Sequence, residues 1–459
     1  MIPSEWRSGE VAVVGLGKSG RAAARLLERD HVPVYVSDAG DSESLREAAR
    51  SVARVRIAVD VGGHDLERIT RARAVVASPG VPPDAPPLAA ARAAGVPIVS
   101  EIEIGLQAMP HTRVIAVTGT NGKTTTTALV GHLLRALGEE AVDAGNIGVP
   151  LTEIALRDRH PDWIALEMSS FQLHDTPGIA PTVGVVTNLS PDHLDRYATA
   201  DEYYADKALL FRNASERSRW VLNADDPETL RLYRRAGLAR LPGDTYTFSL
   251  RERAGAWYDR GRGELVLLDA PLLSRGELPL LGDHNVANAL AASLAVAVAE
   301  RDRPVNRAAL AGGLRSFRAL AHRLEVVGEF AGVTWINDSK ATNVSSTLVA
   351  IAGMTRPTIL LLGGRHKGEP YTALVEPLRK VGKAVLAYGE AGPLIAGDLG
   401  GVVRVERLGS SFEEVMARAR AIAEPGDVVL LSPACSSYDM FNDYEERGAA
   451  FRRLAANGR

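Results

Sequence analysis

AVTGTNGKTTTTALV, residues 116–130, runs from an apolar, β-rich segment through two glycines into a stretch of helical character. The order predicts strand, turn and helix, with Gly119 and Gly122 in the turn and Lys123, Thr124 and Thr125 opening the helix. In such a turn the backbone N–H groups of Gly119, Thr120, Asn121 and Gly122 surround phosphate oxygens. Lys123 offsets the charge on the β and γ groups, and the Thr124 hydroxyl ligates Mg²⁺. Only Thr120 and Asn121 separate the two glycines, fewer residues than the common P-loop has, so an ordinary GTPase or motor ATPase fits poorly.

A second glycine-rich turn precedes it. In VAVVGLGKSG, residues 11–20, Gly15, Gly17 and Gly20 form G-x-G-x-x-G between a predicted strand and helix, and Asp38 ends the next strand in VYVSD. Glycines at that spacing permit a tight turn and close approach of a diphosphate to a helix N-terminus, and an acid in that place can accept from a ribose hydroxyl. The pattern predicts a dinucleotide such as NAD or another diphosphate ligand. A turn needed only for close helix–strand packing reads the same.

The 459 residues suggest about three domains. Short β-rich runs at 11–14, 32–36, 74–77 and 96–99 alternate with helical segments, which predicts a parallel sheet with helical crossovers. QAMPHTR, at 107–113, reads as a linker. Strand-like RVIAVTG, WIALEMSS, VGVVTNLS and RWVLNAD follow, then the Ala-rich NVANALAASLAVAVAE. From HRLEVVGEF a third unit begins, with TWINDS, TILLLGG, AVLAYG and DVVLLSP as strands. The expected class is α/β in three domains: Rossmann-like over 1–109, P-loop ATPase-like over 110–319 and a C-terminal Rossmann-like α/β domain over 320–459.

Composition narrows the function classes. Hydrophobic residues at 46%, charged residues at 24% and a net charge of -3 are ordinary for a globular protein, and nothing in them points to nucleic acid or a membrane surface. No apolar run approaches the roughly 20 residues that span a bilayer. The N-terminus enters a strand without the basic segment and apolar core of a secretory signal, so the expected compartment is the cytoplasm. The single cysteine, Cys435, excludes an internal disulfide framework and reads as buried packing. Seven lysines stand against 46 arginines, which directs attention to each lysine, because a guanidinium cannot replace a compact or nucleophilic amine.

Downstream lie Asn146 in AGNIGVP, Glu167 in ALEMSSFQL, Asn188, Asp192 and His193 in TNLSPDHLDRY, and Lys207 in YYADKALLF. Glu167 ends an apolar strand, where an acid is placed to hold Mg²⁺ beside the phosphate turn, and His193 is a candidate ligand for a second metal. GTNGKTT, GNIG, SSFQL, PDHLDRY, GDHNVANALAA, HRLE, NDSKATN and SPACSSYDMFNDYEERG together resemble, in order and over essentially the whole chain, the Mur ligase family of ATP-dependent amide-forming enzymes. SSFQL and SPACSSYD favour its D-glutamate-adding branch.

The resemblance implies two nucleotides in one ligase. The first turn then holds a UDP-linked sugar, UDP-N-acetylmuramoyl-L-alanine, through Gly15, Leu16, Gly17, Lys18, Ser19, Asp38, Ser78, Pro79, Gly80, Asn146 and His193. ATP falls to residues 119–125 with Asn285, Asn288, Arg323 and Asp338. Thr124, Glu167, His193 and Lys207 are implied around two Mg²⁺ ions, Lys207 as a carbamate formed with CO₂. Lys123, Glu167, His193 and Lys207 carry the catalytic roles. D-glutamate is assigned to Lys340, Thr342, Lys367, Ser437 and Tyr444, and a monomer is expected.

The chain departs from the family in two places. Ala39-Gly40 replaces a Thr-Arg pair found near the uracil in some members, with Lys18 and Ser19 as replacements, and Arg365-His366 stands where an Asp-Gly pair is familiar. Other readings of the same residues are a ligase of this type with another acceptor, a folylpolyglutamate-type ligase, a non-catalytic nucleotide-binding module and an NAD-dependent oxidoreductase. The last leaves everything after residue 110 unexplained.

Overall fold

The structure, a computed structural model, describes residues 2–192, 197–300 and 304–456. The chain divides into two compact units, Met1–Glu277 with Ala287–Arg315, and Leu278–Val286 with Ser316–Arg459.

The first unit holds two sheets. Strands β1 (Val11–Val14), β2 (Val34–Asp38), β3 (Ile57–Val61), β4 (Val75–Ala77) and β5 (Ile98–Ser100) form a wholly parallel sheet in the order β3-β2-β1-β4-β5. Helices connect the strands, because a parallel pair needs a crossover. The strand order reverses between β1 and β4, and in open α/β sheets ligands bind outside the carboxyl ends at such a point.

The second sheet contains β6 (Arg113–Thr118), β7 (Ala141–Gly145), β8 (Trp163–Glu167), β9 (Val183–Val186), β10 (Arg219–Asn223), β11 (Asp244–Ser249), β12 (Ala256–Asp259), β13 (Glu264–Leu267) and β14 (Ala270–Ser274). Its order, β14-β13-β12-β11-β10-β9-β6-β8-β7, puts β6 between β8 and β9, a second reversal. The carboxyl ends of these three strands lead into Gly119, Met168 and Thr187. Antiparallel pairing of β12 with β13 and of β13 with β14 extends the far edge.

One apolar cluster joins the first two sheets, running from Val11, Val36 and Ile102 through Leu151 and Ile154 to Ile164 and Trp220. Polar contacts pin the junction. The Glu101 carboxylate accepts from Thr152 N–H at 3.0 Å and Thr152 Oγ1 at 2.9 Å, and the hydroxyls of Ser100 and Thr176 meet at 2.7 Å. The expected linker at 107–113 is shorter than its sequence suggested: a helix, Glu101–Ala108, occupies its start and β6 opens at Arg113.

The second unit carries β15 (Glu325–Phe330), β16 (Val333–Asn337), β17 (Thr358–Gly363), β18 (Gly382–Tyr388), β19 (Val405–Arg407) and β20 (Val428–Leu431), ordered β15-β16-β20-β17-β18-β19. The β15–β16 hairpin is antiparallel and the other pairs are parallel. Both faces are covered. Ile336, Leu360, Leu362 and Leu430 pack into one cluster, and Trp335, Ile359, Leu361 and Leu431 into the other. That alternation explains the continuous apolar runs TILLLG and VVLL. β20 lies between β16 and β17, a third reversal, below the loops that follow Asn337, Gly363 and Leu431.

Candidate functional site

Each reversal in strand order carries a cluster of the residues singled out in the sequence. At the first, Gly15 takes a φ of +100°, and a Cβ there would lie 2.8 Å from the Ser78 side chain. A Cβ on Gly20 would sit 1.9 Å from the Gly15 carbonyl oxygen, so close helix–strand packing requires glycine. Gly17 is different: a Cβ there would meet open space, at the N-terminus of the helix Lys18–Arg29. Ser78 Oγ donates to Gly15 O at 3.2 Å, which draws the Ser78-Pro79-Gly80 loop against the glycine turn. Lys18 is exposed in the first helical turn, followed by half-buried Ser19.

Asp38, at the carboxyl end of β2, receives backbone donors on both carboxylate oxygens. Its Oδ2 accepts from Leu16 N–H at 2.8 Å and its Oδ1 from Gly40 N–H at 2.9 Å. The carboxylate therefore staples the glycine turn to the Ala39-Gly40 turn, a structural use that the spacing alone did not reveal.

The second cluster surrounds residues 119–125. Gly119 has a φ of +138° and Gly122 of +82°. Cβ atoms there would fall 2.0 Å from Thr187 Oγ1 and 2.3 Å from Asn288 Oδ1, so neither turn position admits a side chain without displacement. The loop after β9 grips the turn from one side: Thr120 N–H donates to Asn188 O at 2.8 Å, Asn121 N–H to Asn188 Oδ1 at 2.9 Å, and Thr187 Oγ1 to Asn121 O at 2.6 Å. Asn288 touches it from another, accepting from Thr126 Oγ1 at 3.3 Å. Lys123 Nζ donates to Thr120 O at 2.7 Å, folded back over the loop it would serve. Thr124 and Thr125 lie in the first turn of the helix Lys123–Ala136, whose N-terminal dipole favours an anion.

Glu167 is 1% exposed, and its two oxygens differ. Oε1 accepts from Asn146 Nδ2 at 3.0 Å, while Oε2 is buried and finds no hydrogen-bond partner among the described residues. An orphaned carboxylate oxygen next to a phosphate turn suits a divalent cation, whose hard oxygen-seeking character supplies the missing partner. The donor set therefore fits Mg²⁺, although among the described residues no group of three His, Cys, Asp or Glu side chains converges. His193 lies outside the described residues.

Lys207, also 1% exposed, extends from the helix Ala200–Ala208 and donates from Nζ to Gly119 O at 2.7 Å. Tyr203, one helical turn earlier, places its ring 4.6 Å from the same nitrogen. Burial first, and then the Lys123 ammonium, drive the Lys207 pKa well below the usual lysine value, against the opposing pull of Asp192, Glu167 and Asp206. A buried amine held toward its neutral form is a nucleophile. Tyr203, Thr187 and the role of Asn188 were not legible in the sequence, where they read as ordinary helix and loop residues.

In the second unit, the loops after β16, β17 and β20 gather the residues expected at an amino acid. Lys340 Nζ lies 3.7 Å from the centroid of the Tyr444 ring, and Lys367 Nζ donates to Thr342 Oγ1 at 3.4 Å. Ser437 is buried at the end of a segment that pairs back on Arg365 through Ser436. Asp338 receives Leu324 N–H at 3.2 Å and Ser432 Oγ at 2.8 Å, and burial pushes its pKa up to about 7. Arg323 sits between His322 and Leu324, both at positive φ, and Asn285 donates to Leu281 O at 2.8 Å. Cys435 is fully buried with its Sγ 2.9 Å from the Tyr371 hydroxyl, and burial raises its pKa to about 11, so the thiol stays protonated.

Three family descriptions match the chain in order: the Mur ligase MurD-like N-terminal domain over residues 9–100, the Mur ligase middle domain over 117–296 and the Mur ligase glutamate ligase domain over 322–435. The chain is 39% identical to the UDP-N-acetylmuramoylalanine–D-glutamate ligase of Acidobacterium capsulatum, covering 98% of this chain and 96% of the relative. It is 41% identical to the enzyme of that name from Anaeromyxobacter dehalogenans, covering 99% of each. Among solved structures, the UDP-N-acetylmuramate–alanine ligase of Thermotoga maritima superposes with a TM-score of 0.61 at 19% identity, over 98% of this chain and 100% of that one. A pseudomurein peptide ligase type C from Methanothermus fervidus gives 0.60 at 21% identity, with 98% and 100% covered. These two share the fold. The chain belongs to the Mur ligase family, among the UDP-N-acetylmuramoylalanine–D-glutamate ligases.

Proposed function

We propose that the protein joins D-glutamate to UDP-N-acetylmuramoyl-L-alanine with cleavage of ATP to ADP and phosphate, a step of peptidoglycan precursor synthesis. The observation that carries this reading is full-length identity of about two residues in five to ligases of that name, in a chain whose phosphate turn, buried Glu167 and buried Lys207 adjoin one another.

A carboxylate resists amines because its leaving group would be oxide. Transfer of the γ-phosphoryl group to the L-alanine carboxylate makes an acyl phosphate. The D-glutamate amine then attacks its carbonyl carbon, the C–N bond forms, the C–O bond to phosphate breaks, and the amine loses a proton. The protein's contribution is positioning and charge neutralisation, which is why its site offers a lysine, threonines and a carboxylate rather than a nucleophilic serine. Mg²⁺, when bound, neutralises charge on the transferring phosphoryl group. Thr124 and Glu167 are the described groups to hold it; His193 and a second ion belong to the same proposal.

Lys207 is proposed to act as a carbamate. Burial shifts its amine toward the free base, the form that adds to CO₂, and the carbamate keeps an N–H for Gly119 O while presenting two oxygens that share one negative charge. Gly15–Ser19, Asp38, Ser78–Gly80 and Asn146 are assigned to the UDP-linked substrate. Residues 119–125 with Asn285, Asn288, Arg323 and Asp338 are assigned to ATP, and Lys340, Thr342, Lys367, Ser437 and Tyr444 to D-glutamate, whose two carboxylates suit a pair of lysines. Segments 1–109, 110–319 and 320–459 are the corresponding working domains. A cytoplasmic monomer without nucleic-acid or membrane partners completes the reading; among the described residues no helix is long and apolar enough to cross a membrane.

The acyl phosphate is tested with substrate bearing ¹⁸O in the L-alanine carboxylate. Transfer of one label to inorganic phosphate during turnover is expected. Unlabelled phosphate would overturn the mechanism.

A further inference from the structure

The helix Tyr444–Ala456 carries one residue that the reaction described above leaves unused. Arg447 is 1% exposed, beneath the carboxyl ends of β16, β17 and β20. Its Nε donates to Ser339 Oγ at 2.9 Å and its Nη2 to Ser339 O at 2.9 Å, while Nη1 and Nη2 both reach Cys435 O at 3.3 Å. Ser339 immediately precedes Lys340, and Cys435 stands two residues before Ser437. The loop that carries Lys367 packs on the same group, since a Cβ on Gly364 would lie 3.3 Å from Nη1. One guanidinium thus underlies all three loops proposed to hold the amino acid.

Among the described residues no carboxylate forms an ion pair with Arg447; its partners are a hydroxyl and backbone carbonyls. A buried cation without a counter-charge is costly, and an apolar side chain of similar volume would fill the space with less penalty if packing were the only demand. A planar fork with several donors can hold two loops at a fixed separation, which a lysine ammonium cannot reproduce. The guanidinium also adds positive potential where an anion is to be received, opposed in part by Asp439, which acts on the same Tyr388 and Cys435 groups.

We propose that Arg447 is a positioning residue for the acceptor amino acid: it sets the spacing of the Ser339-Lys340, Gly364–Lys367 and Cys435–Ser437 loops and biases the pocket toward a dicarboxylate. This rests on the proposed assignment of those loops to D-glutamate.

The test compares full-length wild type with Arg447→Lys, Arg447→Met and Ser339→Ala, each checked for native circular dichroism. D-glutamate is titrated at saturating ATP and UDP-N-acetylmuramoyl-L-alanine. A misplacement of the loops should raise the KM for D-glutamate by roughly tenfold or more in Arg447→Met, with the KM for ATP within about twofold of wild type. Arg447→Lys should recover only part of the loss, because charge returns without the fork. Ser339→Ala, which removes one partner of Nε, should shift the same constant in the same direction, and it carries the test if Arg447→Met does not fold. An unmoved KM for D-glutamate, or equal shifts for all three substrates, overturns the proposal. Absence of wild-type turnover with D-glutamate overturns the underlying assignment instead, so the two failures are distinguishable.

Discussion

Lys207 Nζ donates to the Gly119 carbonyl oxygen at 2.7 Å, so a buried amine is tied directly to the first glycine of the phosphate turn. Because burial holds that amine toward its neutral form, it is suited to reversible addition to CO₂. Lys207→Ala should lose activity by about two orders of magnitude or more and regain part of it in millimolar acetate or formate, which replace the anionic oxygens. Lys207→Arg should not be rescued, since the guanidinium fills the space. A ¹³C carbamate resonance in wild type supplied with labelled bicarbonate is the direct readout, and it should vanish in both variants.

The phosphate turn is intolerant of side chains. Gly119→Ala would place a methyl 2.0 Å from Thr187 Oγ1 at a φ of +138°. Strain of about 1–3 kcal/mol is expected, with displacement of the turn, so binding of an ATP analogue should weaken at least about tenfold in calorimetry. Equal affinity in the variant would show that the turn does not cradle phosphate.

Glu167 Oε2 is buried and has no hydrogen-bond partner among the described residues. Glu167→Gln keeps the shape and removes the charge, so the Mg²⁺ concentration needed for half-maximal rate should rise by about tenfold or more while the fold persists. A Mg²⁺ dependence identical to wild type would remove Glu167 from the ligand set.

Asp338 is pushed by burial from 3.8 up to about 7, even though the Ser432 hydroxyl, Leu324 N–H and Arg323 favour its charged form. For a carboxyl with a raised folded pKa, the stabilisation is complete below the ordinary value of 3.8 and is lost as pH rises through about 7. His322, in the loop whose Leu324 N–H donates to Asp338, has a pKa lowered chiefly by burial. Asp338→Asn should therefore flatten the fall in Tm between pH 5 and pH 8. An unchanged slope would show that Asp338 is ionised throughout.

Lys340→Ala and Lys367→Ala should each raise the KM for D-glutamate far more than that for ATP, by about tenfold, because a charge-assisted contact to a carboxylate is lost. Lys367 meets Thr342 Oγ1 and Lys340 lies on the Tyr444 ring, which keeps both ammonium groups at the mouth of the same loop cluster. Parallel shifts in both constants would assign the lysines to general architecture.

Much of the parallel sheet framework was legible because buried strands read as apolar runs: VAVV, VIAV, WIALE, TILLL and VVLL all became strands. Several strands were not. β3 mixes buried and exposed residues, β19 has three residues, and β11 and β12 lie in polar or turn-rich sequence, while the short apolar run of β13 stands alone between turns. At the site, glycine spacing located both turns. Partners contributed by distant strands stayed hidden: Thr187 clashes with a Cβ only because β9 adjoins β6, and Arg447 reaches Ser339 across 108 positions of sequence. Asp38 was found by position, yet its backbone contacts became visible only when the Ala39-Gly40 turn folded against it.

The measurement that bears most directly on the central claim is phosphate release from ATP with Mg²⁺ and UDP-N-acetylmuramoyl-L-alanine, with D-glutamate, L-glutamate, D-alanine or diaminopimelate as acceptor. The account predicts stoichiometric ADP, phosphate and amide with D-glutamate and background release with the other three. Release with a different acceptor and none with D-glutamate would contradict it.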